Sequence, residues 1–336
     1  MTFLGIELIL MLLLILVAAE VFTNALEHLG DRLGISEGVT GSLFAAVGTA
    51  LPETMVPILA MVAGTQNQTV NEEISVGAIL GAPLMLGTLT TFLMAIAAMK
   101  ARGIRGRIMP EPTGFKRDMN VFLFAFLLAA CAMFVPHEPI HTRAVFSVLL
   151  VGTYVGYIVR TFKASKQLVE EGHGTEADNH MFFNRLGMKD TTLTVFFQLF
   201  IGLVLLVGGA KGFINGVEGV SQALSVSPLV LSLLIIPIAT ELPEKVNSIL
   251  WIRRGKDTLA FGNITGAMVF QGTLLPALGI LLTPWQPSKE VVPGIIITIL
   301  AGLWLRFNAS RAGISIVSLT VCGGLYATYL WLTLGR

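Results

Sequence analysis

The chain has 336 residues, 54% of them hydrophobic and 13% charged, with a mean hydropathy of +0.78. A soluble domain solvates its surface with about 25% charged residues, so most of this surface must face lipid. A net charge of +1 gives no electrostatic basis for binding nucleic acid, and Cys131 and Cys322 sit in apolar runs without the spacing of a metal or disulfide framework.

Crossing about 30 Å of hydrocarbon takes roughly 20 mostly apolar residues as a helix. Ten such spans are expected: 3–26, 38–63, 74–99, 119–136, 143–162, 191–214, 228–252, 258–282, 291–307 and 312–334. The first has no Lys or Arg ahead of it, so it reads as a membrane helix and not as a cleaved signal peptide. The polar stretch Lys163 to Asp190 divides the spans five and five. The expected organisation is a first five-helix repeat over 1–162, a cytoplasmic loop over 163–190 and a second repeat over 191–336. With the N-terminus outside, seventeen of the 22 Lys and Arg residues fall in inside loops, and only Arg143, Lys289 and Arg336 fall outside. That bias places both termini outside a plasma or inner membrane.

A shift of 191 residues brings the chain into register with itself. Glu20-Val-Phe-Thr-Asn24 meets Lys211-Gly-Phe-Ile-Asn215, and Thr49-Ala-Leu-Pro-Glu53 meets Thr240-Glu-Leu-Pro-Glu244. With a shift of 185, Gly77, Gly81 and Gly87 meet Gly262, Gly266 and Gly272. Five is odd, so the second copy enters the membrane from the opposite side. Inverted repeats of this kind meet at a midplane substrate site in secondary transporters.

Both Leu-Pro-Glu motifs lie in mid-span. Pro52 and Pro243 lack an amide hydrogen and clash with the preceding turn, so helices 2 and 7 are expected to be broken there. Each break frees carbonyls, around Ala46 and Thr49 in one span and Pro237 and Thr240 in the other, and a glutamate follows. Converging carbonyl, hydroxyl and carboxylate oxygens suit a hard cation. A charged residue at that depth costs roughly 2.5–3.5 kcal/mol on insertion scales, and two idle copies at corresponding positions would be hard to account for.

These motifs resemble the cation/calcium antiporter superfamily, which includes the sodium/calcium exchangers. Its second helices carry Gly-Thr-Ser-x-Pro-Glu, matched by Gly48-Thr-Ala-Leu-Pro-Glu53 and Ala239-Thr-Glu-Leu-Pro-Glu244. Its third helices carry Gly-Ser-x-x-x-Asn or Asp, where this chain has Gly81-Ala-Pro-Leu-Met-Leu86 and Gly266-Ala-Met-Val-Phe-Gln271. The resemblance implies an all-α membrane protein of ten helices in two inverted repeats. It puts Thr49, Glu53, Thr240, Glu244 and Gln271 at ion-binding positions. The cargo implied is Ca²⁺ or another divalent cation in exchange for Na⁺, with transported cations in place of any cofactor and lipid and cations as partners.

The ligand set departs from that pattern. Ala50, Ala82, Ala267 and Leu86 stand where the family has oxygen-bearing side chains, while Glu241 adds a carboxylate and Lys245 a cation. Proton coupling is the alternative counter-ion, because a buried glutamate readily accepts a proton when a metal leaves. A cation channel would need an open polar path, whereas these polar residues cluster at one depth. No Asp-rich diphosphate motif points to an enzyme.

Other positions carry weaker signals. Glu20 and Lys211 read as a pair or switch on the helices that slide in the family, or as side chains snorkelling to an interface. Asn24 and Asn215 are expected to bridge helices. His137 and His141 are separated by Pro139 and share no helical face, and His173 and His180 are expected in solvent. The sequon Asn263-Ile-Thr265 reads as helix packing, and the glycines of the third and eighth helices as close helix approach.

Overall fold

The computed structural model describes residues 2–32, 51–136, 140–170, 180–310 and 312–334. Among them the fold is helical apart from one two-residue strand pair. In chain order the elements are α1 (Thr2–Arg32), α2 (Leu51–Ala63), α3 (Gln68–Met85), a π-helical turn (Leu86–Thr90), α4 (Thr91–Arg102), β1 (Arg107–Ile108), α5 (Pro112–Ala132), α6 (Ile140–Glu170) and α7 (Phe182–Arg185). They continue with α8 (Thr192–Leu224), α9 (Pro228–Thr240), α10 (Leu242–Arg253), α11 (Asp257–Leu282), α12 (Val291–Asn308), β2 (Ile314–Ser315) and α13 (Ile316–Leu334).

Seven helices among the described residues are long and apolar enough to cross a bilayer, and Glu53–Ala63 and Pro228–Ile238 are shorter apolar helices. The protein is an integral membrane protein. The span Gln68–Arg102 is an interior helix, with 78% of its apolar window buried against 22% for Ile140–Thr161. The latter presents Val145, Val148, Leu149, Val155 and Val159 outward, the composition that lipid contact allows.

Residues Met1–Asn71 and Ile158–Ser225 form one compact unit, and Glu72–Tyr157 and Val226–Arg336 a second. In the first unit α1 and α8 pack antiparallel along a row of glycines. A Cβ added at Gly202 would lie 3.0 Å from Phe22 Cα, and one at Gly209 would lie 3.0 Å from Ile15 Cγ1. One at Gly212 would fall 2.5 Å from Met11 Sδ, and one at Gly216 would fall 3.4 Å from Leu8 Cα. Small residues at this spacing let backbones approach where no hydrophobic effect drives helices together. Asn24 ties the same pair: Gln198 Nε2 donates to Asn24 Oδ1 (2.9 Å) and to Val21 O (2.9 Å), and Phe182 N donates to Asn24 Oδ1 (3.0 Å). Its sequence counterpart Asn215 is exposed, and the bridging expected of it is not found among the described residues. Outside the span, the Arg32 guanidinium pairs with Asp190 and holds that carboxylate below its usual range.

In the second unit α11 packs on α5 and α10, α12 packs on α5 and α13, and α13 on α4. A bidentate ion pair anchors one end of this bundle. Arg102 Nη1 and Nη2 each donate to Asp257 at 2.6 Å, and Met109 N adds a third bond to Asp257 Oδ2 at 2.7 Å. At the adjoining loop, Arg107 pairs with Ser315 and Ile108 with Ile314 across the two short strands.

Helix ends run past the apolar limits read from the sequence. α5 starts at Pro112, well before 119, because the Glu111 carboxylate accepts from Thr113 N (2.7 Å) and Gly114 N (2.5 Å) and so caps its first turn. α6 continues to Glu170, into the stretch expected as loop, and α7 is a further short helix there.

Candidate functional site

The second Leu-Pro-Glu motif is an interruption between two helices. α9 ends at Thr240, Glu241 adopts a turn conformation (φ −88°, ψ 11°), and α10 starts at Leu242 with Pro243 in its first turn. The amide missing from Pro243 removes one helical bond, and the Glu241 N to Pro237 O bond is stretched to 3.4 Å. A second proline, Pro237 inside α9, likewise cannot donate to Leu233 O. There α3 comes close: a Cβ at Gly81 would lie 2.5 Å from Leu233 O, and one at Gly77 would lie 2.6 Å from Ser232 Cβ. Only a residue without a side chain fits against that carbonyl.

Three side chains gather at the interruption. Glu241 is fully buried, and its Oε1 accepts from Gln271 Nε2 of α11 at 3.2 Å. Lys245, one turn further on, is 5% exposed and its Nζ lies 3.5 Å from Glu241 Oε2. The same ammonium donates to Pro237 O (2.8 Å) and Ile238 O (3.3 Å), the carbonyls at the end of α9. Gln271 is buried, and its Oε1 accepts no hydrogen bond from the described residues. Buried acceptors are nearly always satisfied, so an oxygen left in this state is available to a ligand. Thr240 is buried and donates to Ile236 O (3.0 Å), which leaves its oxygen lone pairs able to face a cation.

The candidate ligands read from the sequence thus divide three ways. Glu241, Gln271 and Thr240 lie at or beside one interruption. Glu53 is buried in the first turn of α2. Thr49 lies outside the described residues, as does the side chain of Glu244. The inward-facing Lys245 is the functional feature that sequence reading left open. Its signal was the Glu241/Lys245 spacing of four, which sets the two side chains on one helix face.

Other expectations resolve into packing. Asn263 Nδ2 donates to Ser248 Oγ (3.1 Å), and Thr265 Oγ1 donates to Asp118 Oδ2 (2.8 Å), so the Asn263–Thr265 sequon sits in helix contacts. A Cβ at Gly272 would press on Phe122 at 2.7 Å, whereas among the described residues nothing lies within 4 Å of one at Gly262 and only Tyr157 Oη, at 3.9 Å, near one at Gly266. Close approach therefore accounts for Gly77, Gly81 and Gly272. Glu20 and Lys211 are both exposed on their helices. The α1/α8 register sets Lys211 near the level of Leu13, about 10 Å along the axis from Glu20 at 1.5 Å per residue. Among the described residues no Glu20–Lys211 ion pair is formed. His141 and His180 are exposed, and no group of three or more His, Cys, Asp or Glu side chains is placed to hold a metal among the described residues.

An interrupted apolar helix with buried polar side chains at the break is the arrangement by which membrane transporters build their ion sites. The chain belongs to the sodium/calcium exchanger protein family, whose pattern it matches over residues 4–163 and 194–335. It is 22% identical over 313 residues to the inner membrane protein YrbG of Escherichia coli (strain K12), across 91% of this chain and 90% of that relative. Its fold resembles that of the H⁺/Ca²⁺ exchanger CAX, with a TM-score of 0.69 at 16% identity over 99% of this chain and 87% of the other. It also resembles the sodium-calcium exchanger NCX_Mj, with a TM-score of 0.57 at 20% identity over 98% of both chains.

Proposed function

We propose that the protein is a secondary antiporter that moves Ca²⁺, or another divalent cation, against a counter-flow of Na⁺. The observation that carries this reading is the Glu241–Gln271 contact at the end of α9. A buried carboxylate and an amide oxygen with no donor are the ligand types that replace the water of a hard cation. Family membership supports it, as does the buried carboxylate of Glu53 in the first Leu-Pro-Glu motif, the counterpart of Glu244. In this reading Thr49, Glu53, Thr240, Glu241, Glu244 and Gln271 contribute ligands to the transported ions.

The architecture proposed with it is ten helices in two inverted five-helix repeats, 1–162 and 191–336, joined by a cytoplasmic loop, in a plasma or inner membrane with both termini outside. The α1/α8 contacts support the inversion. Residues equivalent by the shift of 191 lie on two antiparallel helices whose partners run in opposite order, 8 with 216 and 22 with 202, as two copies related by a twofold axis between them would be.

Proton coupling is the second reading, favoured by the solved exchanger with the higher structural likeness, which is an H⁺/Ca²⁺ exchanger. The deciding experiment is radioactive calcium uptake into proteoliposomes under an imposed Na⁺ gradient and, separately, under a pH gradient without Na⁺. Uptake with either gradient identifies the counter-ion, and uptake with neither, or uptake that needs no opposing gradient, removes the antiport reading.

A further inference from the structure

Resting on that antiport reading, we propose that the Lys245 ammonium is a tethered monovalent cation. It permanently fills a subsite made by the carbonyls of Pro237 and Ile238 and the carboxylate of Glu241, so the second motif takes up one fewer ion from solution than its oxygen atoms could hold. The interruption creates the subsite. Ending α9 at Thr240 leaves carbonyls pointing past the helix end, where a macrodipole concentrates partial negative charge. Glu241, fully buried, adds a whole negative charge beside them.

Such a cluster of oxygens in a low-dielectric interior needs a positive charge, whether an ion or a side chain supplies it. Lys245 meets the need from one turn away. Its Nζ approaches the two carbonyls at 2.8 and 3.3 Å and Glu241 Oε2 at 3.5 Å. Three donors on a compact point charge reproduce the demands of a dehydrated monovalent ion, whose water carbonyl oxygens also replace in selective channels. The other carboxylate oxygen, Glu241 Oε1, faces Gln271 Nε2. One carboxylate thus divides its two oxygens between the fixed cation and the α11 side of the site.

The structural alternative is that Lys245 only neutralises a helix end. The two ideas separate on ion count. If the ammonium holds an ion's place, removing it opens a vacancy that solution Na⁺ enters. If it is structural, removal leaves the number of bound ions unchanged.

The test is equilibrium binding of radioactive Na⁺ to the purified full-length protein in detergent, with native protein, Lys245→Gln and Lys245→Arg side by side. Lys245→Gln is expected to gain one bound Na⁺ per chain over native, whereas Lys245→Arg, which keeps the charge, gains none. A Lys245→Gln protein of native elution and melting behaviour with no additional Na⁺ would overturn the proposal. So would an equal gain in a Glu241→Gln/Lys245→Gln double variant, which lacks the carboxylate that attracts the ion. Should Lys245→Gln fail to fold, native crystals soaked in thallous ion decide the matter: an anomalous peak against Pro237 O and Ile238 O overturns it, and its absence there supports it. Failure of gradient-driven calcium uptake would sink the antiport reading and leave the Na⁺ count standing as a separate result.

Discussion

Gln271 on α11 and Glu241 at the α9–α10 interruption meet through a single hydrogen bond of 3.2 Å, donated by the Gln271 amide nitrogen, and the oxygen of that amide faces no donor among the described residues. An amide held by one hand in this way is oriented without being saturated. Replacing Gln271 by Leu keeps the volume and removes both functions. The expected outcome is a loss of at least about tenfold in apparent divalent-cation affinity, equivalent to about 1.4 kcal/mol, in a protein that still elutes as a folded species. Calcium uptake measured over a concentration series checks it; native affinity in the variant would remove Gln271 from the ligand set.

Glu53 makes the corresponding prediction for the first motif. The Glu53→Gln protein keeps the shape of a side chain that is only 3% exposed and loses its charge. Gradient-driven uptake should fall to background while expression and melting temperature stay close to native. Robust transport by this variant would show that the first carboxylate is not a ligand.

Glycines 81 and 262 lie on corresponding helices of the sequence repeat and should respond in opposite ways. A side chain at Gly81 runs into Leu233 O and Pro237 Cγ, at 2.5 and 2.7 Å from its Cβ, and neither can move without shifting α9. Gly81→Val is therefore expected to destabilise by about 1–3 kcal/mol, the usual range for overpacking. Gly262→Ala meets nothing within 4 Å among the described residues and should be neutral or slightly stabilising, since alanine favours the helix. Thermal melts of the two variants in one detergent give the comparison, and similar melts for both would contradict the helix packing described.

Acid should erase a defined part of the stability at the start of α5. Burial raises the Glu111 pKa, but the amides of Gly114 and Thr113 outweigh it and leave the carboxyl below its ordinary value. A depressed carboxylate contributes fully above its unfolded pKa, about 4.3, and the contribution disappears as pH falls through the lower folded value. Glu111→Ala is expected to cost about 1 kcal/mol near neutrality, the usual scale for a lost cap. The melting difference between native and variant should shrink to nothing as pH drops below about 4. A constant difference across that range would mean that the carboxylate charge is not what caps the helix.

Much of this was legible in the residues, for a physical reason. Of the ten spans expected from hydropathy, seven helices among the described residues are long and apolar enough to cross, because lipid forces every backbone group into a helix. The proline of Thr240-Glu-Leu-Pro-Glu244 located the interruption because a missing amide cannot be supplied from elsewhere. What hydropathy could not reach were features decided by polar contacts at short range. Glu111 starts α5 in a stretch with no apolar signal, and the fate of Lys245 depended on which carbonyls α9 would leave open. Gly262 and Gly266 looked like packing positions by analogy with Gly77 and Gly81, and the stretch that would match by the repeat, 38–46, lies outside the described residues. Thr49 and the Glu244 side chain fall outside the described residues, so the full ligand set remains a proposal built on the second motif.

The π-helical turn at Leu86–Thr90 also escaped prediction, since nothing in Leu-Gly-Thr-Leu-Thr departs from an apolar helix. There Thr88 and Thr91 hydroxyls bond back to Leu84 O and Leu86 O. A π turn holds one residue more than an α-helix over the same rise, so everything beyond it is set out of phase with everything before. The offset is about 100° and 1.5 Å. Gly81, against Leu233 on one side of the turn, and Arg102, gripping Asp257 on the other, can both face their partners only because of that angular correction. Deleting one residue between 86 and 90 would leave the helix intact and more regular, yet swing the guanidinium roughly a quarter-turn away from its carboxylate. The turn acts as a vernier, setting the angle between the helix contact near the second motif and the ion pair that fastens the far end of the bundle.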